Sequence, residues 1–500
     1  MTVSLQCNPL ARGAGRSGRW AAACLAGPIL LASCAPVPNL GARPEPLTAT
    51  QVEASRSLPG SAGAQWPGEG WWQAYGDPQL DSLIAEGLAR SPDVAAAAAR
   101  FRKAGALAEQ AGAARLPRLD LQGQVQEERR SLNNGFPAGF QSFLPQGWND
   151  GGQVALNLGF DLDLWGRNRA AYAAARSEAL AAALDAQQAR LALAAGIASA
   201  YLDLDRLFAE RAVRAGQLDI ATQSRKLLAQ RQANGLETRG GVAVSEAEVA
   251  SARVALGEAD EALALRRNQI AALVGAGPDR GLAITRPQLA PAAPRALPEG
   301  VTTDLIGRRA DVVAARERVE AAASRIKVAR ADFFPAIRLD ALIGFQSLGL
   351  DLLFDKGSQF GSVGPAISLP IFHGGELQGR YRGARADYDA AVAAYDGAVL
   401  GAYQQAADAV TTVRMASQRL GDARAALAAS QEARDVMMAR YKGGLATWLD
   451  VLQVEDRLLQ ARLAVAGLEA VVRNADVALA RALGGGFSSP TAAPVTKDGM

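Results

Sequence analysis

Histidine is nearly absent: this chain of 500 residues has one, His373. A catalytic or metal-binding histidine needs partners at ligand spacing, and none surround it, so it reads as part of a strand-to-helix junction. Cysteine is almost as scarce, with only Cys7, Cys24 and Cys34. The first two fall in a leader-like segment, and the single one left excludes an internal disulfide framework. Aromatic residues make up 6% of the chain. Beyond the leader, no stretch reaches the roughly 18 uninterrupted apolar residues of a membrane helix, so any spanning part is β. The glycine pairs Gly374-Gly375 and Gly443-Gly444 lack the Gly-x-x-x-x-Gly-Lys-Ser/Thr setting of a phosphate loop. Basic excess is missing too. The formal charge of +3 matches the three leader arginines, Arg12, Arg16 and Arg19, and the remainder is neutral. That gives no support for nucleic-acid binding. No residue pattern points to a cofactor, a metal or an enzyme.

Residues 1–33 read as an export signal, with a basic start and the apolar stretch Ala21–Leu31, too short to span. Leu31-Ala32-Ser33-Cys34 follows and resembles the lipobox of bacterial lipoproteins. That resemblance implies cleavage before Cys34, which then carries lipid. Ala35, in place of the Asp usual in an inner-membrane retention signal, implies sorting outward.

The stretch 153–231 organises the rest. In 153–164 the apolar residues alternate: Val154, Leu156, Leu158, Phe160, Leu162 and Leu164. A period of two means one apolar and one polar face, so these even-numbered residues are expected to face lipid. Asp161 and Asp163 then share the polar face, where lining a lumen explains them better than acid–base work. After Trp165-Gly166-Arg167 the period changes. Residues 168–231 contain no proline and are about one-third alanine, the best helix former. Ile197, Tyr201, Leu204 and Phe208 form a heptad-like seam. A helix over 166–231 is on the order of 100 Å long.

The expected order is a tether over 34–70, then Asp77 capping a helix from Pro78, then a helix 93–114 and a strand 119–127. The strand 153–164, the long helix 166–231 and a returning helix 239–274 complete a first repeat, 71–274. A Pro/Gly-rich linker covers 275–298. The pattern then recurs over 299–484: helix 309–332, strands 336–346 and 362–371, long helix 375–440, turn, and helix 448–483. Pro335 echoes Pro117, and Gly443-Gly444-Leu445-Ala446-Thr447 echoes Asn234-Gly235-Leu236-Glu237-Thr238. The residues 485–500 carry no pattern and are expected to be a disordered tail.

Four strands cannot close a membrane barrel, since the smallest has about eight. Copies must share one. Three copies would supply about twelve strands, with room for an aqueous pore. At this point a resemblance emerges, carried by the lipobox at Cys34, by Asp161-Leu162-Asp163-Leu164-Trp165-Gly166-Arg167, by Leu369-Pro370-Ile371-Phe372-His373-Gly374-Gly375, by Tyr441-Lys442-Gly443-Gly444-Leu445, and above all by the duplicated element order. The chain resembles a TolC-like outer-membrane efflux protein, of the outer membrane factor family and its lipoprotein (NodT-type) branch. The resemblance implies a homotrimer with a 12-stranded transmembrane β-barrel continued by a periplasmic α-helical barrel. It implies a periplasmic adaptor and an inner-membrane transporter of the resistance-nodulation-division type as partners. The channel itself is then a passive conduit for small molecules such as drugs. The alternatives are a type I protein secretion channel, or a non-transporting coiled-coil envelope lipoprotein.

The same resemblance places a gate near the helix turns. Tyr441 matches a tyrosine that some members use there, and Asp450 an aspartate nine residues on. Ala446 replaces a gating arginine, and Gln453 stands where many members form an aspartate ring. Gly235, Gly443 and Gly444 mark the tip turns, where positive φ is expected.

Overall fold

The computed structural model describes residues 37–131, 137, 139, 143, 145–291 and 295–487. It divides into two compact units, and four of the five boundaries fall inside helices. Of the described residues, the first takes those in 37–43, 108–175 and 321–389, and the second those in 44–107, 176–320 and 390–487.

The helices in chain order are α1 (Pro78–Arg90), α2 (Pro92–Ala113), α3 (Arg167–Ala233), α4 (Arg239–Leu273), the short α5 (Pro278–Leu282) and α6 (Val301–Asp304), α7 (Ala310–Ala331), α8 (Glu376–Lys442) and α9 (Trp448–Ala482). Their lengths repeat. α2 and α7 have 22 residues each, α3 and α8 have 67, and α4 and α9 have 35. Alanine-rich, proline-free sequence propagates the long helices. Among the described residues, no helix is both long and apolar enough to cross a membrane.

The first unit holds one antiparallel sheet of four strands: β1 (Arg118–Glu128), β2 (Asn149–Asp161), β3 (Ala336–Leu348) and β4 (Gln359–Ser368), in that order. β2 starts four residues before the alternation that suggested it and stops at Asp161, not Leu164. The reason is Asp163, which adopts φ 45° and turns the chain. Leu162 and Leu164 continue the alternation in sequence but lie beyond the strand.

The second unit holds the largest core. Leu80, Leu83 and Ile84 of α1 pack with Ile197, Tyr201 and Leu204 of α3, and with Ile270 of α4. Three of the four seam residues are therefore buried, with Phe208 partly buried against the same core, and the seam also carries polar work. The Tyr201 hydroxyl donates to Asp77 Oδ2 at 2.6 Å, while Asp77 Oδ1 accepts the Gln79 N–H and caps α1. Asp77 Oδ2 also accepts the Gln288 N–H at 2.7 Å. A second tie joins Tyr75, whose hydroxyl donates to Asp476 Oδ2 at 2.8 Å, with Arg295 on the same carboxylate at 3.2 Å. Burial, then the Asp476 charge, push the Tyr75 phenol far above its ordinary value and keep it a donor.

Parts of two segments expected to be loose are packed, while 34–36 and 488–500 lie outside the described residues. Within 34–70, Leu58 is buried, and Ser61 bridges to Pro298. Further upstream, Arg385 of α8 donates to the carbonyls of Gly41 and Ala42, and Arg43 lies 5.7 Å from the Tyr388 ring centroid. At the other end Gly484, Gly485 and Gly486 all have positive φ, and Phe487 packs on Ala181, Leu184 and Ala314. A Cβ on Gly484 would meet the Arg308 carbonyl oxygen at 1.8 Å. Glycine is required there by close approach, so 484–487 is an ordered latch rather than the start of a tail. Composition concealed both segments because a few apolar anchors suffice to hold an otherwise Pro/Gly-rich chain.

Candidate functional site

The sheet has two chemically distinct faces. Residues opposite one another in register share a face. Leu119 pairs with Leu158 and Leu121 with Leu156. Leu156 pairs with Ile343 and Leu158 with Ala341. Ala341 pairs with Val363 and Ile337 with Ile367. One face is thus apolar across all four strands. It is also bare within the chain: Leu121 is 69% exposed, Ile343 68% and Val363 77%. The opposite face carries Asp120, Gln122, Gln124, Asn157, Arg338 and Asp340. The outer edges of β1 and β4 have no strand partner among the described residues.

A built junction leads from β2 into α3. Gly166, at the N-terminus of α3, has no side chain with which to cap it. Asp163 does so from upstream: its carboxylate accepts the N–H of Asn168 at 2.9 Å and that of Arg169 at 3.0 Å. Asp161 Oδ1 accepts the Asp163 N–H at 2.9 Å, so Asp163 is drawn into the turn while Asp161 keeps its place on the polar face, opposite Arg338, and the two do not form a pair there. This corrects the expectation for Asp163, whose side chain is only 12% exposed and is ion-paired to Arg169. Trp165 stacks on Phe334 with centroids 4.8 Å apart, and its Nε1 donates to the Pro335 carbonyl at 2.7 Å. Arg167 pairs with Asp332 at 2.8 Å. His373 lies at the equivalent junction before α8, with Nδ1 3.6 Å from Glu376.

The two helix turns are built alike. Gly235 and Gly444 both sit at φ 73°. The Leu236 N–H returns to the Arg231 carbonyl, and the Leu445 N–H to that of Arg440, as in a Schellman stop. Gly443 is not left-handed, contrary to expectation; its N–H donates to Ala439 as helix. One positive φ completes each stop, so Gly443 has no special backbone role. Thr238 and Thr447 cap the helices that follow, α4 and α9.

The candidate gate residues fall into separate local arrangements. The Tyr441 ring meets the Trp448 ring at 5.1 Å, and the Tyr441 hydroxyl has no partner among the described residues. Asp450 is taken up by Thr447, accepting from its backbone N–H at 2.8 Å and its hydroxyl at 2.6 Å. These bonds, the hydroxyl's first, and the Arg440 charge hold the Asp450 carboxyl below the ordinary carboxylate range. The spacing Thr447-x-x-Asp450 is a capping-box signal legible in sequence but not read there as one. Gln453 is exposed one turn further on. Cys34 lies outside the described residues.

The site is thus an amphipathic four-stranded sheet, its edges unpaired among the described residues, whose second and fourth strands lead through short junctions into 67-residue helices. The comparisons give the family. The chain belongs to the outer membrane efflux protein family, which matches residues 83–276 and 301–485. It is 33% identical over 374 residues to the fusaric acid resistance protein FusA of Burkholderia cepacia, covering 74% of this chain and 70% of that one. It is 29% identical over 479 residues to the pyoverdine export outer membrane protein OpmQ of Pseudomonas aeruginosa, covering 94% and 98%. Among solved structures it superposes on the outer membrane protein VceC of Vibrio cholerae with a TM-score of 0.77 and 41% identity, covering 85% of this chain and 100% of that one. The chain is an outer-membrane efflux channel.

Proposed function

We propose that three copies of this chain close one barrel of about twelve strands and act as a passive exit duct for small organic molecules. The observation that carries this is the sheet: apolar and bare on one face, polar on the other, with open edges at β1 and β4. Lipid does not tolerate an open edge, so each β4 pairs with the β1 of a neighbour. The relatives' names, fusaric acid resistance and pyoverdine export, favour small-molecule cargo over protein secretion. The two repeats, 71–274 and 299–484, contribute equivalent halves, joined by 275–298. α3 and α8, each about 100 Å long, carry the tip turns towards the inner membrane. There a periplasmic adaptor and an inner-membrane pump of the resistance-nodulation-division type supply the energy, and Tyr441 with its surroundings forms the gate.

Cys34 carries lipid that holds the N-terminus at the membrane. The contacts of Arg385 with Gly41 and Ala42 support this. From Gly41 back to Cys34 the chain reaches about 24 Å, whereas Arg385 is about 14 Å along α8 from its start at Glu376.

Cysteine pairs scanned between β1 and β4, in a chain whose mature form has one native cysteine, test the assembly. Covalent dimers and trimers are expected for at least one register. If no pair cross-links between chains while a control at Asn157 and Leu342, opposite each other within the chain, does, the shared barrel is wrong.

A further inference from the structure

The polar face of the sheet is zoned, and the zones differ in charge. At the end of the sheet nearest the helices, Arg118 lies beside Asp120 at 2.6 Å, and Arg338 beside Asp340 at 3.0 Å. Asp161 stands directly opposite Arg338 in register. These five charged side chains share the polar face and line one concavity. Both arginines are well exposed, Arg118 at 81% and Arg338 at 61% of the side chain. Two arginines against three aspartates leave one uncompensated carboxylate per chain. About 13 Å further along β1 the face becomes uncharged. Gln124, Gln153 and Gln346 stand side by side in one row across β1, β2 and β3. Gln124 donates to Gln126 at 2.6 Å. Past this amide row, Glu128 and Arg130 form another matched pair at 3.2 Å.

We infer that this charged girdle, and not the amide row, sets the barrel's ion selectivity, and that Arg118 and Arg338 keep that selectivity weak by neutralising Asp120 and Asp340. The inference rests on the reading that the polar face lines an aqueous pore. Fixed charges on a low-dielectric wall focus counterions, so a ring of unmatched carboxylates favours cations and excludes anions. Here matched pairs cancel most of that field, and only Asp161 remains from each chain. Amides hydrogen-bond to solutes and water without a net field. The barrel is therefore permissive: it admits small organic molecules of either charge sign, with a mild preference for cations.

The test is the K⁺/Cl⁻ permeability ratio of the full-length protein in planar bilayers under a KCl gradient. Arg338→Gln leaves Asp340 unmatched and is expected to raise the ratio about twofold or more. Arg118→Gln is expected to act in the same direction and serves if the first variant assembles poorly. Asp161→Asn keeps the acceptor oxygen for the Asp163 N–H and is expected to lower the ratio. Gln153→Ala is expected to leave it unchanged. Pores whose ratio ignores both arginine substitutions, or moves as much with Gln153→Ala, overturn the inference. Absence of any conductance, also with the tip gate substituted by Tyr441→Phe, overturns the pore reading instead.

Discussion

Replacing Asp163 separates the three things this residue does. It sits at φ 45°, the only positive-φ non-glycine among the described residues. Its carboxylate accepts two backbone N–H groups at the start of α3, at 2.9 and 3.0 Å, and pairs with Arg169 at 3.2 Å. Losing a cap of this kind costs about 1–2 kcal/mol. Placing alanine in the left-handed region adds about 1 kcal/mol, a cost that asparagine and glycine largely avoid. Asp163→Ala is therefore expected to destabilise by about 2–3 kcal/mol. Asp163→Gly frees the backbone but loses the cap, for about 1–2 kcal/mol. Asp163→Asn keeps one acceptor and tolerates the backbone, for about 1 kcal/mol or less. The assay is thermal unfolding in detergent followed by circular dichroism, ranking the variants Asn, Gly, Ala in order of increasing loss. If Gly costs more than Ala, or all three are alike, the junction is not organised by this residue in the way described.

On the sheet, Leu158→Arg puts a charge on the apolar face and is expected to cost about 2–4 kcal/mol if it lies near the bilayer midplane. Asn157→Arg, on the other face, should be tolerated; equal yields of membrane-assembled protein from the two would contradict the assignment of faces. At the tip, Tyr441→Phe removes one potential bond of about 1 kcal/mol, so resting conductance should rise severalfold at most with assembly unchanged. Asp450→Asn is the cleaner companion than Asp450→Ala, because it retains an acceptor for Thr447; no conductance change in either Tyr441→Phe or the double variant would place the gate elsewhere. At the C-terminal latch, Gly484→Ala drives a Cβ into the Arg308 carbonyl and should lower thermal stability by about 2 kcal/mol or more, whereas the same change at Gly397, with open space around it, should not. Cys34→Ser should abolish metabolic labelling with fatty acid while some protein stays in the membrane, since the barrel anchors independently; labelling that survives would refute the anchor.

Much of this architecture is legible in sequence because it rests on periodicity. Period two in β2 and β3 and proline-free alanine runs in α3 and α8 are signals that backbone geometry imposes directly. Alternation continues in the letters through Leu162 and Leu164, whereas Asp163, at φ 45°, ends the strand. Periodicity is blind to one left-handed residue. At 484–487, the part of the C-terminus within the described residues, the sequence misleads in the opposite sense. Gly484-Gly485-Gly486 reads as a break, yet each glycine is needed for close approach, and Phe487 is its anchor. Three glycines ending on an aromatic directly after a helix stop was the available signal. Long-range ties were out of reach altogether. Nothing in the sequence joins Tyr75 to Asp476, 401 positions away. At the turns the resemblance drew attention to Asp450 as a gate, while the local spacing to Thr447 already assigned its carboxylate a capping partner.

Purified full-length protein reconstituted into a planar lipid bilayer tests the central claim most directly. An aqueous barrel closed from several copies predicts discrete, reproducible conductance steps. Those steps should be lost with Leu158→Arg and kept with Asn157→Arg. Intact, correctly folded oligomers that never conduct, under any voltage and with the tip gate substituted at Tyr441, would contradict the claim that this chain forms a conduit.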